Sequence, residues 1–228
     1  QQKINFGGKQ AKIYFPRILL SQFYGIEIKD FAHEMAILSL WLAEHQMNKV
    51  FEEMVEDFGR AVPVLPLKES GNISLGNAAT FDWEIACPKN PNDEIYIIGN
   101  PPYLGSRNQD AEQKSDMELV FRKDYKSLDY VSIWFYKGAK FIEGINAQLA
   151  FVSTNSICQG LLVALTWPRI LNKNIEIGFA HQSFKWINNA KGNAGVTVII
   201  VGLRNKSSVQ KLLFNDNIKK EAKNINAY

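Results

Sequence analysis

The chain has 228 residues, enough to bury a sizeable core in one large domain, or in one and part of another. Hydrophobic residues make up 46% and charged residues 21%, and the formal net charge of +3 is too mild to mark a dedicated nucleic-acid-binding module. The two cysteines, Cys87 and Cys158, are too few and too scattered for a disulfide framework or a zinc site, so a reducing, cytoplasmic compartment is expected.

The chain opens on Gln1-Gln2-Lys3-Ile4-Asn5 without an initiator methionine or a signal peptide, and reads as a piece of a longer protein. No apolar stretch reaches the ~18 residues of a membrane span, so no membrane partner is expected. Gln22 to Ile28 (QFYGIEI) has strand composition, and Asp30 is placed to cap a helix from Phe31 to about Phe51. Phe31, Met35, Leu38 and Leu42, with Ala32, Ala36 and Ser39, give that helix its predicted apolar face. A short strand near 72–75 follows a connector with Pro63, Pro66 and Gly71. Glu94 to Gly99 is a further strand. Helices are predicted over 109–123, 130–143 (capped by Asp129) and 156–172, and strands over 148–153, 175–180 and 196–203. Alternating strands and helices argue an α/β fold with a parallel-rich sheet. The polar connector before the last strand argues an antiparallel return.

Asn100-Pro101-Pro102-Tyr103 sit on the loop leaving the carboxyl end of the 94–99 strand, where open α/β sheets bind their ligands. The Asn100 side-chain oxygen and the Pro101 carbonyl are two acceptors that one NH2 group can satisfy. Paired prolines fix φ and remove N–H donors, and the Tyr103 ring offers a flat stacking face. The plain alternative is a proline-rich turn. Glu27 ends its strand where a carboxylate accepts both hydroxyls of a ribose, and Ile28 beside it is placed to pack on an adenine. After the 72–75 strand, Asn77 or Asp82 is placed to pair with the edge of such an adenine. Asn77 is favoured because it stands immediately after the strand, and Asp82 has the alternative of capping a turn. Phe184 and Trp186 lie on a predicted polar loop, Phe184 being the better candidate for a second stacking face. His33, His45 and His181 lack ligand spacing, so no metal site is expected.

The string Ile98 to Ser106, with Ser127 to Val131, Phe151 to Gly160 and Phe179 to Trp186, resembles DNA adenine-N6 methyltransferases. Together these blocks resemble the methyltransferase region of large single-chain bacterial restriction–modification enzymes, over roughly residues 20–205. The resemblance implies a class I methyltransferase: a mostly parallel Rossmann-like sheet with an antiparallel last strand. It also implies S-adenosylmethionine as cofactor, no metal for the transfer, and double-stranded DNA with a flipped adenine as partner. Carried over, Glu27 would hold the cofactor's ribose and Asn77 its adenine edge. Asn100 and Pro101 would hold the target amino group, with Tyr103 and Phe184 stacking on its ring.

The family's first strand and its glycine-rich cofactor loop have no match in Gln1 to Ser21, where only Phe6-Gly7-Gly8-Lys9 stands. Residues 10–16 are a candidate replacement strand, and the chain alone is expected to bind cofactor poorly. The implied organisation is an upstream segment over 1–20, a partial catalytic domain over 21–205, and the start of a linker toward a target-recognition domain over 206–228. Glutamine-N5 methylation of proteins uses the same four residues, and RNA guanine methylation stands beside it. A non-catalytic DNA-binding or scaffold piece is the rival from another class.

Overall fold

The computed structural model describes the strands at 3–6 and 9–12 and residues 18–54, 71–123, 125–186, 196–216 and 218–228. The chain divides into two compact units, Gln1–Pro88 and Lys89–Tyr228.

In the first unit, β1 (Lys3–Phe6) and β2 (Lys9–Lys12) pair antiparallel, Lys3 facing Lys12 and Phe6 facing Lys9. Of the candidate replacement strand over 10–16, only 10–12 lie among the described residues, and they pair with β1 alone. A 3-10 turn at Leu20–Gln22 leads into β3 (Tyr24–Glu27), α1 (Asp30–Met54) and β4 (Asn72–Leu75). β3 and β4 pair parallel, with Tyr24 opposite Asn72 and Glu27 opposite Leu75. Parallel neighbours need a crossover, and α1 supplies it. Asp30 is the first helical residue rather than the residue before the helix, and the Lys29 carbonyl accepts the first helical bond from the His33 N–H.

The apolar face of α1 departs from expectation. Phe31 is 77% exposed and Met35, Leu38 and Leu42 are also exposed, whereas Ala32, His33, Ala36, Ile37, Leu40 and Trp41 are half-buried. The helix is apolar on two sides, and periodicity alone does not say which side meets the strands. His33 makes the choice visible: its Nε2 lies 2.9 Å from the Ile73 carbonyl on β4, a contact that a stripe through Phe31 would not allow.

In the second unit a six-stranded sheet has the order β10-β9-β7-β8-β6-β5. Its elements in chain order begin with β5 (Ile95–Gly99), α3 (Ala111–Phe121), α4 (Ser132–Ile142) and β6 (Ala147–Thr154). α5 (Gly160–Ile170), β7 (Ile175–Lys185), β8 (Thr197–Asn205), β9 (Lys211–Asn215) and β10 (Ile218–Ala222) complete it. β5 and β6 run parallel, and β8 is antiparallel to both β6 and β7. β9 is parallel to β7 and β10 antiparallel to β9, so β5, β6, β7 and β9 share one direction, β10 is reversed at the edge, and β8 is the reversed strand wedged among them. The fold is therefore α/β, with a mostly parallel-directed core and the antiparallel return that the polar connector had implied.

The core is built where the α4 stripe meets alternate residues of β6. Ala147, Leu149, Phe151 and Ser153 are buried in alternation, as a pleated strand covered on one face requires. Phe135 on α4 is fully buried and meets Phe151 edge-on at 5.4 Å and Trp167 of α5 at 5.6 Å. The buried Trp167 indole N–H donates to the Ile157 carbonyl at 2.8 Å, which lets a large aromatic enter the core without an orphaned donor. At Gly202 a Cβ would come within 2.1 Å of the Phe179 ring, so only glycine lets that ring lie across β8.

Three predicted elements are corrected. The 156–172 helix is interrupted: a 3-10 turn at Asn155–Cys158 precedes an extended Gln159, and α5 restarts at Gly160, whose φ is +52°. Phe184 and Lys185 belong to β7, opposite Val198 and Thr197, because a bulge between His181 and Phe184 lets the strand run on past the predicted end at Ala180. The segment 206–228, expected to begin a linker, forms β9 and β10. Lys211 at the start of β9 reaches the Glu176 carboxylate at 2.9 Å, and Arg204 meets the same carboxylate at 3.0 Å.

Candidate active site

β5 is the edge strand of its sheet, and Gly99, opposite Phe151, is its last residue. The chain then turns through Asn100-Pro101-Pro102-Tyr103. Pro101 is buried, Pro102 and Asn100 are exposed, and Tyr103 is half-buried. Among the described residues the Asn100 side chain makes no hydrogen bond and the Tyr103 ring contacts no other ring. Pro101 thus anchors the loop, while the amide before it and the ring after it are presented to whatever approaches the strand end.

The continuation of this loop is tied down unusually well. The Leu104 carbonyl accepts from the Tyr130 N–H at 2.8 Å and from Gln109 Nε2 at 3.3 Å, and the same Gln109 nitrogen donates to the Leu128 carbonyl at 3.0 Å. Gln109 is 5% exposed, a buried amide spent on fixing one loop to another. Asp129 was expected to cap α4, and its side chain does not do so: Val131 is the N-cap residue and receives no side-chain cap. The Asp129 carboxylate instead accepts from the Ser156 hydroxyl at 2.8 Å, and its other oxygen lies against the loop backbone at Gly105, where a Cβ would stand 3.6 Å away. Burial pushes its pKa up, against the lowering effect of the Ser156 hydroxyl and the Ser106 N–H. Sequence reasoning missed Gln109, Asp129 and Ser156 as supports, since an aspartate ahead of a helix carries the same pattern whether it caps or reaches away.

Phe184 stands near the carboxyl end of β7, which points the same way as β5 and β6, so both candidate stacking residues belong to the same edge of the sheet. Their strands lie three spacings apart in the order β7-β8-β6-β5, about 14 Å at ordinary strand separation. The half-buried Phe184 ring meets His181 edge-on at 4.9 Å and Trp186 at 6.4 Å.

In the first unit the cofactor candidates lie at the ends of the parallel pair. Glu27 closes β3 and is half-buried. One carboxylate oxygen accepts from the Lys29 N–H at 3.0 Å, and its carbonyl accepts from the Gly76 N–H at 2.8 Å. Ile28 is 60% exposed beside it. Asn77 turns its side-chain oxygen onto the Ala79 N–H at 3.0 Å, and its carbonyl accepts from the Thr80 and Phe81 N–H groups. Asp82 takes up the alternative noted for it: its carboxylate accepts from the Glu84 N–H at 2.9 Å and caps a short helix, α2 (Trp83–Ala86). The Trp83 indole N–H donates to the Ala78 carbonyl at 2.9 Å, closing this turn into a stiff platform.

The sequence matches the family model described as the MmeI DNA-methyltransferase domain over residues 2–215. It is 51% identical over 220 residues to DNA methyltransferase A of Bacillus subtilis (strain 168), covering 95% of this chain and 25% of that protein. Among solved structures it resembles the Type IIL restriction–modification enzyme MmeI in complex with DNA, with a TM-score of 0.85 and 37% identity. That match covers 98% of this chain and 31% of the MmeI chain, so this chain spans a quarter to a third of the length of these relatives. The strand-end loop, the reversed β8 and the sequence match agree: the chain belongs to the MmeI DNA-methyltransferase domain family.

Proposed function

We propose that this domain transfers a methyl group from S-adenosylmethionine to the N6 amino group of an adenine swung out of double-stranded DNA, within a restriction–modification enzyme. The observation that carries the reading is the exposed, uncommitted Asn100 amide at the carboxyl end of β5, held between a strand and a buried proline. The MmeI structure is of a complex with DNA, which supports DNA as the partner.

The residues at the ends of β3 and β4 fit a nucleoside. Among the described residues the second Glu27 oxygen takes no hydrogen bond, and it is the acceptor that ribose hydroxyls need; exposed Ile28 offers the apolar face for the purine. On the stiff turn after β4, Asn77 is the favoured group for its amino edge, with Asp82, which also caps α2, as the other candidate. When bound, S-adenosylmethionine supplies a methyl group activated by its sulfonium. Asn100 and the Pro101 carbonyl accept the two hydrogens of the target NH2, which raises electron density on the nitrogen and aims its lone pair. Tyr103, with Phe184 as the second face, holds the ring plane. Catalysis is then orientation and charge stabilisation, with the amino proton lost after attack and no covalent intermediate.

The test is product identity in the intact enzyme that carries this domain. DNA incubated with S-adenosylmethionine is digested to nucleosides and analysed by mass spectrometry. N6-methyladenine supports the reading. Methylated cytosine with adenine untouched, or no methylated DNA base beside methyl incorporation into protein or RNA offered in parallel reactions, overturns it.

A further inference from the structure

Asp129 is a carboxylate only 8% exposed that lies on no strand, caps no helix and, among the described residues, pairs with no cation. A buried charge without a counter-ion destabilises a fold unless hydrogen bonds offset it, so its position calls for a reason. The groups around it are informative. On one side stands the backbone of Gly105 and Ser106, two and three residues past Tyr103 on the loop leaving β5, with the Ser106 N–H favouring the charged carboxylate. On the other a hydrogen bond comes from the Ser156 hydroxyl, just past the end of β6, and Ser156 lies in turn 2.7 Å from the Thr154 hydroxyl. The neighbours of Asp129 repeat the pattern: the Tyr130 N–H and, through Gln109, the Leu128 carbonyl both engage Leu104 or its loop. At Gly105 a Cβ would stand 3.6 Å from Asp129 Oδ1, so the loop backbone runs against the carboxylate itself.

We propose that Asp129 is a positioning residue for methyl transfer: it clamps the loop that follows Tyr103 to the exit of β6, and so fixes where Asn100 and Tyr103 present themselves. This deepens the reading of Asn100 and Tyr103 as the groups that hold the target, and rests on it. β5 and β6 are adjacent parallel strands, so their exits are neighbours by topology, but topology alone leaves each loop free to move. A single buried carboxylate bonded to one exit and packed against the backbone of the other removes that freedom. Its effect is exerted at the transfer step, where displacement of a reacting group by about 1 Å costs about 100-fold. Cofactor affinity, which depends on other residues, is untouched.

The experiment compares Asp129→Ala, Asp129→Asn and Ser156→Ala with wild type in the intact enzyme. It reads kcat, KM for S-adenosylmethionine, the thermal midpoint, and hydrogen exchange of the peptide spanning 104–109. For Asp129→Ala the expectation is a fall in kcat of about 100-fold with KM unchanged, and faster exchange in that peptide. Asp129→Asn keeps the size of the side chain and an oxygen toward the 105–106 backbone, and recovers part of the rate. Ser156→Ala loses one bond and falls less. If Asp129→Ala does not fold, the other two variants carry the test, and wild-type rates in both overturn the proposal. A raised KM at unchanged kcat, unchanged exchange at 104–109, or an Asp129→Asn variant as slow as Asp129→Ala also overturns it. Asn100→Ala separates this proposal from the reading beneath it. A dead Asn100→Ala beside an unaffected Asp129→Ala sinks the clamp alone, whereas crippled Asp129 variants of an enzyme that methylates another group leave the clamp standing and sink the adenine assignment.

Discussion

Replacing Asn100 by alanine separates folding from chemistry. The side chain is exposed and makes no hydrogen bond among the described residues, so its removal changes stability by no more than about 0.5 kcal/mol, the range for surface sites without a structural role. Its proposed work is done at the transfer step, where it is one of two acceptors on the target nitrogen. Loss of one preorganised hydrogen bond to a group that develops charge costs about 2.7–4 kcal/mol, or roughly 10²–10³ in rate. The Pro101 carbonyl remains, which is why a residual rate is expected rather than none. Single-turnover transfer of labelled methyl to DNA, with cofactor binding measured by calorimetry and folding by thermal melt, reads the three quantities apart. The expected result is a rate lower by two to three orders of magnitude, with cofactor affinity and melting point held. A rate within tenfold of wild type would refute the assignment, and a melting point lowered by several degrees would show the amide to be structural.

Tyr103→Ala is expected to slow transfer by the loss of one base–aromatic stack, about 1–3 kcal/mol, with Tyr103→Phe near wild type in the same assay. Phe135→Ala empties the centre of the α4–β6–α5 cluster and should cost about 3–5 kcal/mol, read as a lowered denaturant midpoint with little change in m-value. At Glu176 burial raises the pKa, but the bonds and charges of Lys211 and Arg204 outweigh it and hold the carboxyl below its ordinary value. A depressed folded-state pKa contributes stability that is present above the unfolded value and lost as pH falls through the folded one. Acid titration from about pH 6 toward pH 3 should therefore loosen β9 and β10 in wild type, seen as faster hydrogen exchange over 211–222, and Glu176→Gln should abolish that pH dependence.

What the sequence disclosed follows from how locally each feature is encoded. α3 was legible because its start is written within four residues: Asp110 accepts from the Gln113 N–H while the Gln113 side chain returns to the Asp110 N–H. The strand at 95–99 and the loop after it were legible from an apolar run and two prolines. The buried side of α1 was not, because its apolar residues occupy two faces and only the His33 contact to Ile73 distinguishes them. The run of β7 to Lys185 depends on a bulge and on pairing of Phe184 with Val198 and Lys185 with Thr197 across the connector, so no local signal marks it. The same holds for Asp129, whose neighbours at Gly105 and Ser156 lie more than twenty residues to either side. The predicted polar connector of the last two strands lies mostly at 187–195, outside the described residues.

The reversed strand β8 also dictates the order in which this unit can be completed. β6 and β7 both hydrogen-bond to Thr197–Asn205 and not to each other, so neither has its full set of partners until that stretch has left the ribosome. Until then β6 and β7 present open edges of apolar residues, the kind of surface on which nascent chains associate wrongly. Contacts of such sequence separation also slow folding, since loop closure must precede their reward. A chain cut short of Asn205 would for this reason be a substrate for chaperones rather than a smaller version of the same molecule.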